Sequence, residues 1–178
     1  MSVSFVSATA PHSLASLLYP VICAGLLLIA AARDVASRTI PNFIPVLLFL
    51  LGVALQLNAA ALPTALLAAG LVFVAAALAW RVGLMGGGDV KLLAALALCV
   101  PPAAVLSLVM ATGLAGGVLG LLYLALRRVP RFSCSVRREP TLRPLPARVL
   151  RAEWWRIGRG SPLPYGVAIA AGGLITLF

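Results

Sequence analysis

Carboxylates are nearly missing from this chain. Asp34, Asp89, Glu139 and Glu153 are the only four in 178 residues, against 14 lysines and arginines. Histidine occurs once, at His12, and the three cysteines, Cys23, Cys99 and Cys134, are scattered with no CxxC pair. A tetrahedral zinc site needs four Cys, His or carboxylate ligands, and a disulfide framework needs cysteines in a paired pattern. Neither is expected, and no metal or other cofactor is expected with them. Two of the cysteines lie in apolar runs and read as small packing residues. Polar surface is also scarce. Charged residues make up 10% of the chain and hydrophobic ones 62%, with a mean hydropathy of +1.10. That is too little to cover a water-soluble core, which excludes a soluble domain. The formal net charge of +10 would suggest nucleic acid in a soluble protein. In a membrane protein the same excess records topology and contact with anionic lipid, so no nucleic-acid partner is expected. The tail from Met1 to Pro11 lacks the basic start of a signal peptide and reads as a short exposed terminus, with His12 solvated beside it.

What the chain has in plenty is apolar runs, at 13–32, 42–57, 62–80, 90–104, 105–126 and 163–178. They predict an all-α membrane protein, a polytopic bundle of six transmembrane helices forming one domain over 1–178. The first, third and fifth runs are easily long enough to span. The others reach only ~24 Å at 1.5 Å per residue, so they need local thinning or snorkelling ends. Pro101-Pro102 interrupts the fourth and marks a turn before the fifth.

Basic residues orient the bundle. Arg33 and Arg38 follow the first run, Arg81 and Lys91 flank the turn after the third, and ten more lie between Arg127 and Arg159. With six spans all 14 fall on one side, which the positive-inside rule assigns to the cytoplasm. Both termini then lie outside, and Asp34 and Asp89 lie at the cytoplasmic edge. The stretch 127–161 also holds prolines at 130, 140, 144 and 146, which forbid one continuous helix. It reads as a topology-setting loop against anionic headgroups, and Arg148–Arg159 with Trp154 and Trp155 also suits a short interfacial helix. In the fifth run Gly113, Gly116, Gly117 and Gly120 recur at a spacing that lets helix backbones approach closely inside a bundle.

Two of the four acids stand at the ends of membrane runs, where an ionisable side chain is costly and marks a candidate site. Asp34 closes the first run and leads through Arg38 into Pro41-Asn42, where Pro41 suits the first turn of the next helix. Asp89 ends the run Gly86-Gly87-Gly88 and precedes Val90-Lys91. Glycines there accept unusual backbone angles and permit close approach. Each acid alone has a plain structural account, Asp89 as a helix cap and Asp34 as a charge anchor. Together they are the only aspartates in the chain, both at one membrane edge, and that favours a working pair. Two carboxylates within hydrogen-bonding reach tend to share one proton at neutral pH. The ionised one takes a proton from water while the neutral one polarises a peptide carbonyl.

The segment from Asp34 to Asn42, the sequence Gly86-Gly87-Gly88-Asp89-Val90-Lys91 and the terminal Pro162-Leu163-Pro164-Tyr165-Gly166-Val167-Ala168-Ile169-Ala170 together resemble the type IV prepilin peptidase family, GxGD intramembrane aspartyl proteases. The resemblance implies that Asp34 and Asp89 are the catalytic pair, supported by Pro41, Asn42, Gly86, Gly87, Gly88 and Lys91. It also implies a prepilin substrate, whose short basic leader stays cytoplasmic while its apolar N-terminal helix lies in the membrane. The location implied is the bacterial inner membrane, with cleavage at the cytoplasmic face. Larger members carry a zinc-binding insert with paired cysteines, associated with N-methylation of the new terminus. This chain has no such insert and resembles the short, peptidase-only members of Flp-type (tight-adherence) pilus systems, so methyl transfer is not expected. Two other readings, a proton-coupled transporter and a non-catalytic subunit of a secretion or pilus assembly, are less suited. The apolar runs carry no acid at their middle, and a structural subunit leaves the two acids without a task.

Overall fold

The computed structural model describes residues 14–128 and 163–178. The N-terminal tail, nearly all of the basic stretch 127–161 and Pro162 lie outside the described residues. So do the expectations placed on them. Six α-helices are described: α1 Leu14–Ser37, α2 Phe43–Asn58, α3 Leu62–Arg81, α4 Gly87–Leu98, α5 Val105–Arg128 and α6 Tyr165–Leu177, with a short 3-10 turn at Pro102–Ala104. There is no strand among the described residues. The chain is an all-α, multi-pass membrane protein. Three stretches, Leu18–Ser37, Leu62–Arg81 and Pro102–Leu126, are long and apolar enough to cross a bilayer. Large apolar side chains such as Leu28, Leu50, Leu71, Val74 and Leu122 lie exposed all around the outside. In water that surface would aggregate; against lipid tails it carries no penalty.

The helices form two layers. In one, α6 packs between α1 and α5; in the other, α4 packs between α2 and α3, and α4 meets α6 at the centre. α4 is the most enclosed helix, with Val90, Leu92, Leu93, Ala95, Leu96, Ala97 and Leu98 all buried. Its 12 residues reach only ~18 Å at 1.5 Å per residue, well short of the ~30 Å hydrocarbon core. A helix walled by protein need not span lipid alone, because irregular backbone is tolerated at membrane depth where protein covers it.

That corrects the fourth expected span, which stops at Leu98 instead of continuing to 104. Pro101 and Pro102 lack the N–H groups that further turns require, and Pro101 adopts an extended ψ of 144°. The carbonyls left unsatisfied are met from another helix. Gln56 Nε2 of α2 donates to the Leu98 and Val100 carbonyls, each at 3.0 Å. Gly52 permits the closeness, since a Cβ there would stand 2.7 Å from Leu98 Cβ. Two of the four α5 glycines do not have the role expected of them, while a Cβ at Gly120 would meet Leu163 at 3.9 Å. Gly113 and Gly117 meet nothing within 4 Å, and Gly116 makes only ordinary contact with Ala168. The close approach between α5 and α6 comes instead from Gly172, where a Cβ would lie 2.6 Å from the Thr112 backbone nitrogen.

Candidate active site

α1 does not end at residue 32. It carries Arg33 and Asp34 inside its last turns and closes at Arg38, whose left-handed φ of 57° ends the helix. The Arg38 N–H still donates to the Asp34 carbonyl at 2.8 Å. Polar side chains at a membrane edge do not break a helix; the left-handed residue does. Ser37 ties the turn, with Oγ donating to the Arg33 carbonyl at 2.8 Å and lying 2.9 Å from Thr39 Oγ1. Pro41 sits ahead of α2 instead of in its first turn, and its carbonyl accepts the Ile44 N–H at 3.2 Å.

The glycine run is likewise mostly helical. Gly86 is extended (φ −78°, ψ 147°) and acts as the N-cap, while Gly87, Gly88 and Asp89 form the first turn of α4. Asp89 is therefore the third helical residue, not the cap. Its Oδ2 reaches back to accept the Gly86 N–H at 3.2 Å, satisfying a donor that a helix start leaves open. None of the three glycines has a positive φ; the described glycine that does is Gly83, at 78°. The unusual dihedrals expected of the run are absent, and space is what the run provides. A Cβ on Gly86 would lie 2.8 Å from Asp89 Oδ2, and one on Gly88 would lie 3.3 Å from Ile40 Cβ. Gly87 faces the Trp80 indole at ordinary contact distance.

The end of α1, the start of α2, the start of α4 and the start of α6 meet at one end of the bundle. Gly166, in the first turn of α6, donates its backbone N–H to Asp34 Oδ2 at 2.8 Å. Lys91 Nζ donates to Asn42 Oδ1 at 3.2 Å, tying α4 to the start of α2. Asp34 and Asp89 are buried, at 6% and 8% residue exposure. Asp34 and Arg38 both lie within electrostatic reach of Asp89. Asp89 Oδ1 makes no hydrogen bond among the described residues. No group of three or more potential metal ligands occurs among them either.

Of the residues singled out from sequence, Asp34, Asp89, Asn42, Lys91 and Gly88 are gathered at this end. Pro41 shapes the connection without a polar side-chain contact of its own, and Lys91 reaches Asn42 from an exposed position. Gly166 stood inside a noted motif but was not singled out as a site residue. A backbone donor leaves no residue-type signature. The sequence signal available was that glycine in the first turn of an apolar helix, where close approach explains its presence. The arrangement offers two enclosed carboxyl groups from different helices, one with an uncommitted oxygen, which is suited to passing protons to and from a bound reactant.

Comparison with known proteins gives one family. The model of the type IV leader peptidase family matches residues 21–121, more than half of the chain, including both aspartates and ending before α6. No curated protein and no solved structure matches the chain.

Proposed function

The chain belongs to the type IV leader peptidase family, and from that membership we propose an aspartic endopeptidase that removes the leader of type IV, Flp-type prepilins through Asp34 and Asp89. The peptidase class follows from the family; the substrate and the catalytic pair are our reading. One observation carries it: two acids far apart in sequence, each buried, stand within electrostatic reach at one end of the bundle. In this reading one carboxylate takes a proton from water as the oxygen attacks the peptide carbonyl carbon. The protonated partner polarises the carbonyl oxygen, and the amine leaves with a proton returned to it. Neither metal nor cofactor is needed for these steps.

The same reading sets the acids at the cytoplasmic face of the bacterial inner membrane, since all the basic residues fall on that side in a six-span topology. The basic stretch 127–161 then lies against anionic headgroups. Thiol-labelling of a single cysteine placed at Ser135 tests the orientation: protection from external reagent is expected, and labelling from outside would reverse it. Co-expression with a prepilin tests the activity. A mobility shift of the pilin, with mass spectrometry giving an unmethylated new N-terminus, is expected. An unprocessed pilin beside a well-accumulated enzyme would remove the proposed substrate, and a methyl mass dependent on this chain would end the peptidase-only reading.

A further inference from the structure

α3 and α5 barely touch, and between them lies a groove of about 850 Å³ floored by Leu93 of α4. Along α5 it runs from Val105 to Gly120, which is ~22 Å of helix at 1.5 Å per residue. Among the described residues no charged side chain lines it. Gly113 and Gly117 sit on its α5 wall, and a Cβ at either would meet nothing within 4 Å. Glycine weakens a helix interior; in a membrane its return is closeness to another backbone. Among the described residues nothing uses that closeness at these two positions.

One end of the groove lies beside the turns that hold the aspartates. Met85, which lines it, directly precedes the Gly86–Asp89 turn, and Tyr165, which also lines it, directly precedes the Gly166 that holds Asp34. At that same end Asp89, 8% exposed, keeps Oδ1 without a hydrogen-bond partner. The residues at that end of the groove are thus direct chain neighbours of the two turns that hold the carboxyl pair.

We propose that this groove seats the membrane-spanning helix of the substrate. An uncharged apolar helix lies between α3 and α5, its backbone close to Gly113 and Gly117, and its end beside Met85 and Tyr165 presents the neighbouring peptide bond to Asp34 and Asp89. A helix satisfies its own backbone groups, so apolar walls suit it until the point where it must open for cleavage. Two other occupants fit less well. An acyl chain has no peptide bond to deliver, and a second copy would bring a whole bundle against a slot walled on both sides. The inference rests on the peptidase reading above, and its test separates the two.

The test uses the full-length protein in membranes, with a tagged prepilin as substrate. A photoreactive p-benzoylphenylalanine is placed at Val109, on the groove wall, or at Leu28, on the outward face of α1, in an Asp89→Asn background that retains the substrate. Crosslinking of Val109 to the substrate's apolar segment is expected, with none from Leu28. Separately, Gly117→Leu fills the groove and is expected to lower leader removal at least about tenfold, as a misfit in an apolar pocket does, with normal accumulation in the membrane. Val109 crosslinks only to lipid or to a second copy, or leader removal by Gly117→Leu equal to wild type, would overturn the proposal. Wild-type cleavage without a Val109 crosslink sinks the groove and leaves the peptidase standing. A Val109 crosslink without wild-type cleavage supports the groove and sinks the catalytic reading.

Discussion

Asp34 and Asp89 carry the same group at the same end of the bundle, yet they are held in different ways. Asp89 is fixed by its own turn: Oδ2 accepts from Gly86, three residues before it. Asp34 is fixed from far away, by the N–H of Gly166 on another helix, 132 residues on. Asp89 depends on one helix starting correctly, whereas Asp34 depends on two helices packing in register. The first arrangement is robust to small shifts between helices; the second senses them directly.

The largest expected effect treats the two as equals. Asp34→Asn and Asp89→Asn keep size and approximate shape, so each is expected to accumulate normally in the membrane. Each should lose leader removal by about a hundredfold or more, the scale of general acid–base catalysis. The double variant should be little worse than either, because groups that act as a unit are not additive. Substantial activity in one single variant would break the pairing and leave its partner acting alone.

The next pair separates the acids. A Cβ on Gly166 would stand 2.9 Å from Asp34 Cβ, an atom held close to the α1 backbone, while a Cβ on Gly86 meets the Asp89 carboxylate, with Oδ2 at 2.8 Å and Cγ at 3.7 Å. A carboxylate can rotate away and a Cβ cannot, so Gly166→Ala should lower activity about tenfold or more and Gly86→Ala less, in line with the sensitivity of catalysis to ångström-scale misplacement. Rates measured side by side at equal enzyme level decide it. The reverse order would show that the local turn, not the long-range contact, is the fragile one.

A smaller effect is expected at Gly88→Val. Its side chain would push on Ile40, 3.3 Å from the Cβ position, and displace the connection after Asp34. A loss of several-fold in activity is expected, as overpacking at about 1–3 kcal/mol falls partly on the site. Activity equal to wild type would uncouple that connection from the acids. Smallest of all is Asn42→Leu, which removes the exposed bond from Lys91 Nζ at 3.2 Å. Such a bond contributes about 0.5–1.5 kcal/mol, so a slightly lowered unfolding midpoint in detergent and a change of activity within a few-fold are expected. A collapse of activity would give Lys91 or Asn42 a direct part in the chemistry.

The same contrast explains what could be read from the sequence. Apolar runs mark helices without knowledge of the fold, and each of the six described helices overlaps a run, three of them long enough to cross lipid. Asp34 and Asp89 stand out because acids are rare in such runs. What escaped is what depends on partners. The Gly166 bond joins a backbone donor to a carboxylate on a remote helix. Gln56 was an amide inside an apolar run, a signal in principle, but its acceptors at Leu98 and Val100 exist only because α4 stops early. The α5 glycines have the same spacing whether they face a neighbouring helix or an open groove, and only the packing distinguishes these cases.

The order of synthesis gives the Gly166 contact a further consequence. A chain still being made carries both acids well before α6 emerges, and at that stage Asp34 has no Gly166 N–H to orient it. The helices before α6 would hold the two carboxyls in an unfinished setting, so the last described helix acts as the closing piece of this end of the bundle. On the proposed reading, the carboxyl pair thereby gains its full set of contacts only once insertion has reached α6. Maturation of the protease and completion of its fold become a single event.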